Sequence, residues 1–142
     1  MDKQKPDNLR RRALIVDDDS GVIKILTSIF NSQNYDVRSA NLGQEGHRIF
    51  VQEQRDLPFD VVVADLRLSD MDGLALVRNI RAYEATLPAR ELKKSYVVLF
   101  TGYSAGKEQE ALNAGCNLFL SKPMGLRTIM DLASTLPMRN IP

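Results

Sequence analysis

Short apolar runs, each closed by a polar residue, constrain the fold of this chain more than any other feature. With their flanking residues these runs read RALIVD (12–17), FDVVVAD (59–65), SYVVLFT (95–101) and NLFLS (117–121). Their length is typical of strands and too short for core helices. Because the apolar residues are continuous instead of alternating, both faces of these strands are expected to be covered.

Apolar residues between these runs recur at helical spacing. After the first run they fall at Val22, Ile25, Leu26, Ile29 and Phe30, which lie on one face of a helix. A fifth strand is predicted at YDVRSA (35–40), so strand and helix alternate five times along the chain. This order predicts an α/β protein with a parallel, doubly wound sheet.

The length of 142 residues fits one domain of ordinary size. We expect that domain over 11–136, after a loose N-terminal tail over 1–10 and before a C-terminal tail over 137–142. The last helix is expected to stop before Pro137.

Charge and cysteine content exclude several classes of protein. Nineteen basic and eighteen acidic residues give a net charge of +1, which favours neither nucleic acids nor membranes as partners. The first residues lack the apolar core of a signal peptide, and no apolar run is long enough to span a bilayer. The single Cys116 and single His47 exclude an internal disulfide and a Cys/His zinc site. We therefore expect a cytoplasmic protein, with the basic run 10–12 as a solvated flank.

The polar residues that close the strands form a chemically coherent set. They are two acids after the first strand, one after the third, a hydroxyl and a lysine: Asp17, Asp18, Asp65, Thr101 and Lys122. Carboxyl ends of parallel strands meet at the ligand-binding edge of the sheet. Carboxylate oxygens there suit Mg²⁺, and the hydroxyl and ammonium groups suit phosphoryl oxygens.

Four motifs, LIVDDD, DVVVADLRLSDMDG, VVLFTG and FLSKPM, follow one another on the predicted elements. On these motifs, residues 12–136 resemble the receiver domains of response regulators, the CheY-like domains of two-component signalling. The resemblance implies a flavodoxin-like sheet in the strand order 2-1-3-4-5 with five helices.

The resemblance also implies a role for each acid. Asp65 would be the phosphoacceptor, receiving a phosphoryl group from a sensor histidine kinase or a histidine phosphotransfer protein. Asp17 and Asp18 would bind Mg²⁺ together with Asp65, and the backbone carbonyl of Arg67 would complete the coordination.

Further positions match the parts of the family that respond to phosphorylation. Lys122 would contact the phosphoryl group, Thr101 would move toward it, and Phe119 would be the switch aromatic. The Lys122–Pro123 bond is a candidate for a cis peptide, and Tyr103 is predicted to tune the access of water.

Three departures from the family pattern stand out. Ser69 replaces the usual proline after the phosphoacceptor, which would loosen that loop. The segment around 85–95 is longer than usual, and ARELKK within it suggests one more helical turn. The final helix lacks the arginine-rich pattern of receivers that dimerise to bind DNA, so the output stays open.

The resemblance therefore predicts a signalling switch and not an enzyme that turns over a substrate. Phosphorylation would alter the surface of the fourth helix, fifth strand and fifth helix, and so control an unidentified partner or output domain. That change would also allow a phosphorylation-dependent homodimer. Direct binding of nucleic acid or membrane by this domain is not expected.

Two alternatives remain open at this point. LIVDDDSG also fits the Asp-x-Asp motif of haloacid dehalogenase-like phosphatases, with Asp17 as the nucleophile and Asp19 as the acid/base. In the receiver interpretation Asp19 instead caps the following helix. The second alternative is a receiver-shaped interaction module that is never phosphorylated.

Overall fold

The structure, a computed structural model, describes residues 10–88, 94–102 and 106–137. Strands and helices alternate along the chain. In order they are β1 (Arg12–Val16), α1 (Ser20–Ser32), β2 (Asp36–Ala40), α2 (Gly43–Glu53), β3 (Val61–Ala64), α3 (Gly73–Glu84), β4 (Tyr96–Thr101), α4 (Glu108–Ala114), β5 (Leu118–Ser121) and α5 (Leu126–Thr135). The expected helical turn in ARELKK lies outside the described residues except for Lys94, which is not helical.

The five strands form one parallel sheet in the order β2-β1-β3-β4-β5. The predicted fold and strand order are therefore confirmed. Because β1 and β3 are central neighbours, the residues that follow them emerge side by side at one edge of the sheet, the carboxyl edge.

The side chains of successive β1 residues point to opposite faces of the sheet, as the pleat of a strand requires. Leu14 and Val16 belong to a core shared with α2, α3 and α4. Ala13 and Ile15 belong to a second core shared with α1 and α5. All four are fully buried, which explains why the apolar runs do not alternate.

The arginines at the start of β1 contradict the expected solvated flank. Arg11 and Arg12 are only 7% and 3% exposed. Arg11 donates to the carbonyls of Ala133 and Leu136 at the end of α5 and to Gln33 after α1. These carbonyls have no partner within their helices, so a guanidinium with several donors satisfies them.

Arg12 is held by acids and an aromatic ring. Its guanidinium pairs with Asp36 at 2.9 Å and Glu53 at 2.6 Å, and lies 4.4 Å from the centre of the Phe59 ring. The opposite, amino edge of the sheet thus carries a buried charge, that of Arg12, which is paired with acids.

The start of β4 is tied to the end of α3. The backbone N–H of Ser95 donates to Glu84, which is 1% exposed and also accepts from Arg81. Arg81 also donates to the carbonyl of Ser95. Both ends of the segment around 85–95 are therefore fixed against each other.

Candidate functional site

Asp17 and Asp18 follow the last residue of β1 and emerge at the carboxyl edge. The amide of Asp17 continues the sheet by donating to the carbonyl of Ala40 at 3.1 Å. Its carboxylate is almost fully buried and accepts the amide of Asp19 at 2.9 Å. Asp18 is exposed, and its Oδ2 accepts the hydroxyl of Ser69 at 2.7 Å.

Asp19 has a different task from the two acids before it. Its Oδ1 accepts the amides of Gly21 and Val22 at 2.8 and 3.3 Å, so it is the N-cap of α1. The predicted division of the acidic triplet, two acids at the site and one at the helix, agrees with this geometry.

Asp65 follows β3 next to the β1 acids. Its amide donates to the carbonyl of Val16 at 3.0 Å, which fixes it beside the end of β1. The residue is 8% exposed, and its Oδ1 lies 3.4 Å from the amide of Arg67. One carboxylate oxygen from each of Asp17, Asp18 and Asp65 lies within 4.8 Å of the others.

Lys122 reaches this cluster from the end of β5. Its Nζ donates to Asp17 at 2.9 Å and to Asp65 at 3.1 Å. Its amide donates to the carbonyl of Thr101, and the bond from Lys122 to Pro123 is cis, as expected.

Burial and contacts with oppositely charged groups have opposite effects on the pKa values of Asp17 and Lys122. Desolvation by burial raises the pKa of Asp17, although its hydrogen bond to Lys122 and its bond from the Asp19 amide act the other way. Burial lowers the pKa of Lys122, but hydrogen bonds and charges of Asp17 and Asp65 outweigh that effect and leave it raised. Lys122 therefore carries its charge into the cluster.

The donor set fits a hard divalent cation. Three carboxylates converge, and one ammonium neutralises a single negative charge among them. Oxygen ligands without sulfur or imidazole suit Mg²⁺ or Ca²⁺ and not Zn²⁺. Asp18 is exposed, so solvent can supply further ligands on that side.

Thr101 and Phe119 lie on the neighbouring strands β4 and β5. Thr101 is the last residue of β4, pairs with Ser121 and is 1% exposed. Phe119 is half-buried and packs against the core under α4. Arg67 is exposed in the loop after Asp65, and Tyr103 lies outside the described residues.

Two residues of this loop have contacts that the sequence analysis missed. Ser69, which replaces the proline usual in the family, contacts Asp18 through its hydroxyl. Asp70 accepts the amides of Gly43 and Gln44 at 2.7 and 2.9 Å. These bonds lower its pKa. Leu42, at the N-cap position of α2, provides no side-chain hydrogen bond. The first amides of α2 therefore need an acceptor from elsewhere, and an apolar residue at this position was the signal in the sequence.

Comparison with known proteins agrees with the fold. The family model for the response regulator receiver domain matches residues 13–134. The response regulator protein PilR from Pseudomonas aeruginosa is 34% identical over 133 residues, which cover 92% of this chain and 27% of PilR. The transcriptional regulatory protein ZraR from Escherichia coli is 32% identical over 112 residues, 78% of this chain and 23% of ZraR. The chain thus spans about a quarter of the length of these relatives.

A solved structure has the same fold. The response regulator from Burkholderia pseudomallei with a phosphorylated aspartic acid, calcium ion and citrate superposes with a TM-score of 0.70 at 21% identity, covering 88% of this chain and 67% of that one. Across the described residues, no helix combines the length and apolar character needed to cross a membrane. With its family model covering most of its length, the chain belongs to the response-regulator receiver domain family.

Proposed function

We propose that this chain is a phosphorylation-dependent switch in which Asp65 is the phosphoacceptor and Asp17, Asp18 and Asp65 hold Mg²⁺. One observation carries the proposal: the three carboxylates lie within 4.8 Å of one another, and the Lys122 ammonium contacts two of them. The backbone carbonyl of Arg67, two residues after Asp65, is the proposed further ligand.

The reaction needs a nucleophile and positive charge around the transferred group. A carboxylate oxygen of Asp65 attacks phosphorus, an O–P bond forms, and the P–N bond to the donor histidine breaks. Lys122 offers its charge to the phosphoryl oxygens, and the Thr101 hydroxyl is the proposed hydrogen-bond donor from β4. A bound Mg²⁺ would supply additional charge neutralisation of the phosphoryl oxygens.

The donor is proposed to be a sensor histidine kinase or a histidine phosphotransfer protein. The chain would then signal without turning over a pool of substrate. The phosphoryl group adds close to two negative charges, which would bias the positions of the Thr101 and Phe119 side chains. Couplings of about 1–3 kcal/mol are usual between such sites.

The surface around α4, β5 and the start of α5 is the proposed output. It exposes Leu112 by 41%, along one groove with the half-buried Phe119, and it exposes Met124 by 82%. Exposed apolar side chains that share a groove are typical of protein interaction sites. ZraR is a transcriptional regulatory protein, which supports transcription as the class of process controlled.

The decisive experiment is incubation with Mg²⁺ and a small phosphoramidate donor, followed by intact mass measurement. The parent should gain the mass of one phosphoryl group, and Asp65→Asn should gain none. Asp72→Asn is the matched control, because Asp72 lies in the same loop but caps α3, a task that asparagine also performs.

Either of two results would overturn the proposal: no mass gain in the parent, or an undiminished gain in Asp65→Asn. The phosphatase alternative is disfavoured because Asp19, its acid/base, is occupied as the cap of α1. Substrate hydrolysis that depends on Asp19 and not on Asp65 would restore that alternative.

A further inference from the structure

Asp18 differs from the other two acids of the cluster in what holds it. Asp17 and Asp65 are 2% and 8% exposed and both contact Lys122, so packing and ion pairs fix their carboxylates. Asp18 is exposed. Its described side-chain hydrogen bond comes from Ser69, whose Oγ lies 2.7 Å from Oδ2.

The loop that presents Ser69 is itself well anchored. The next residue, Asp70, holds the first amides of α2 through both of its carboxylate oxygens. The amide of Gly73 donates to the carbonyl of Leu66 at 2.7 Å and closes the base of the loop. The hydroxyl of Ser69 therefore approaches Asp18 from a fixed backbone. The looseness expected from the missing proline is opposed by these bonds.

We propose that Ser69 is a positioning residue that holds Asp18 in the orientation in which it binds the cation. The inference rests on the proposed function and names a residue of this chain outside the ligand set. A carboxylate has about four lone-pair sites, so one bond from the hydroxyl leaves the others for a metal. A proline at this position has no donor in its side chain and cannot make the contact.

The physical effect is to select a rotamer before the cation arrives. An exposed aspartate samples several orientations in water, and binding must then restrict it. Removing a partner that orients a metal ligand usually weakens affinity by 10- to 100-fold. Because both Ser69 and Asp18 are exposed, we expect the lower end, about tenfold, for Ser69→Ala.

The test is titration of the full chain with Mg²⁺ alone, followed by the amide NMR shifts of the cluster. The chain contains no tryptophan, so a tryptophan signal is not available. Ser69→Ala should raise the dissociation constant about tenfold, and Ser69→Thr, which keeps the hydroxyl, should restore it. Ser134→Ala removes an exposed serine hydroxyl from α5 and should match the parent.

The outcomes separate this inference from the proposed function. If the parent itself does not bind Mg²⁺, both fail. If the parent binds and Ser69→Ala binds equally well, only the role of Ser69 is overturned. Weak binding by both Ser69→Ala and Ser69→Thr would also overturn it, since loop packing and not the hydroxyl would then be responsible. Thermal unfolding without Mg²⁺ should be the same for all variants.

Discussion

The two edges of the sheet bury charged groups in opposite ways. At the amino edge, the guanidinium of Arg12 lies between Asp36 and Glu53. At the carboxyl edge, three carboxylates converge and Lys122 contacts two of them. Paired buried charges hold the strands and helices in place, whereas carboxylates in excess favour a cation, here the proposed Mg²⁺. The same kinds of residue thus form a scaffold at one edge and the proposed binding site at the other.

The largest expected effect is at the amino edge. Arg12→Ala should lower the free energy of unfolding by about 3 kcal/mol, because removing one partner of a buried pair leaves the other uncompensated. The lower end of the usual range applies because Asp36 is 33% exposed and can gain water. Urea denaturation measures the loss.

The control for that variant is Arg127→Ala, an exposed arginine on α5, which should leave stability nearly unchanged. Mg²⁺ affinity of Arg12→Ala should equal that of the parent. A weakened affinity with little loss of stability would remove the distinction between the two edges.

The second prediction concerns the pH dependence of stability that arises from Tyr35, beside the amino edge. Its hydroxyl is buried against the carbonyl of Ala133, and burial raises its pKa to about 12. The folded pKa exceeds the ordinary value of about 10, so the protonated hydroxyl of Tyr35 stabilises the folded state. This contribution to the free energy of unfolding is fully present below pH 10 and is lost as pH rises through 12. The loss should reach roughly 2–3 kcal/mol.

Tyr35→Phe isolates this contribution. The phenylalanine variant should lose about 1 kcal/mol at neutral pH, for one buried hydrogen bond, and should lack the parent's additional alkaline decline. Denaturation midpoints from neutral pH to pH 12 measure both. Equal alkaline slopes in parent and variant would contradict the prediction.

The third prediction, at the carboxyl edge, is a variant that is more stable than the parent. Burial raises the pKa of Asp17, so folding penalises its ionised form at neutral pH. Asp17→Asn removes that penalty and should increase the free energy of unfolding by about 0.5–2 kcal/mol in a chelator, the usual range for a stabilising substitution. Mg²⁺ binding should be lost at the same time. A variant less stable than the parent would show that the pair with Lys122 outweighs the cost of burial.

The smallest effect is expected within the acidic triplet. Asp19→Ala should lower the free energy of unfolding by about 1 kcal/mol through loss of the α1 cap, while Mg²⁺ affinity stays unchanged. Asp19→Asn keeps a capping oxygen and should restore stability. Loss of Mg²⁺ binding in both variants would place Asp19 in the cation site.

Local patterns sufficed for the alternation of strands and helices and for the placement of most candidate site residues, whereas the strand order came from the family resemblance. Continuous apolar runs and helical spacing are set by which faces are buried, so they can be read without coordinates. The residue after each buried strand must then emerge at the carboxyl edge, which accounts for Asp17, Asp65 and Lys122 lying together.

The sequence alone determined the doubly wound sheet and the convergence of acids and lysine, and it offered the helix cap as one of two tasks for Asp19. Tertiary structure alone decided that Arg11 and Arg12 are buried, that Asp70 caps α2 and that the hydroxyl of Ser69 donates to Asp18. The reason is separation along the chain. The partners of Arg11 include Ala133 and Leu136, and Ser69 and Asp18 lie 51 residues apart. A polar side chain in a loop carries no periodic signal, so its partner is known only once the sheet has brought distant segments together.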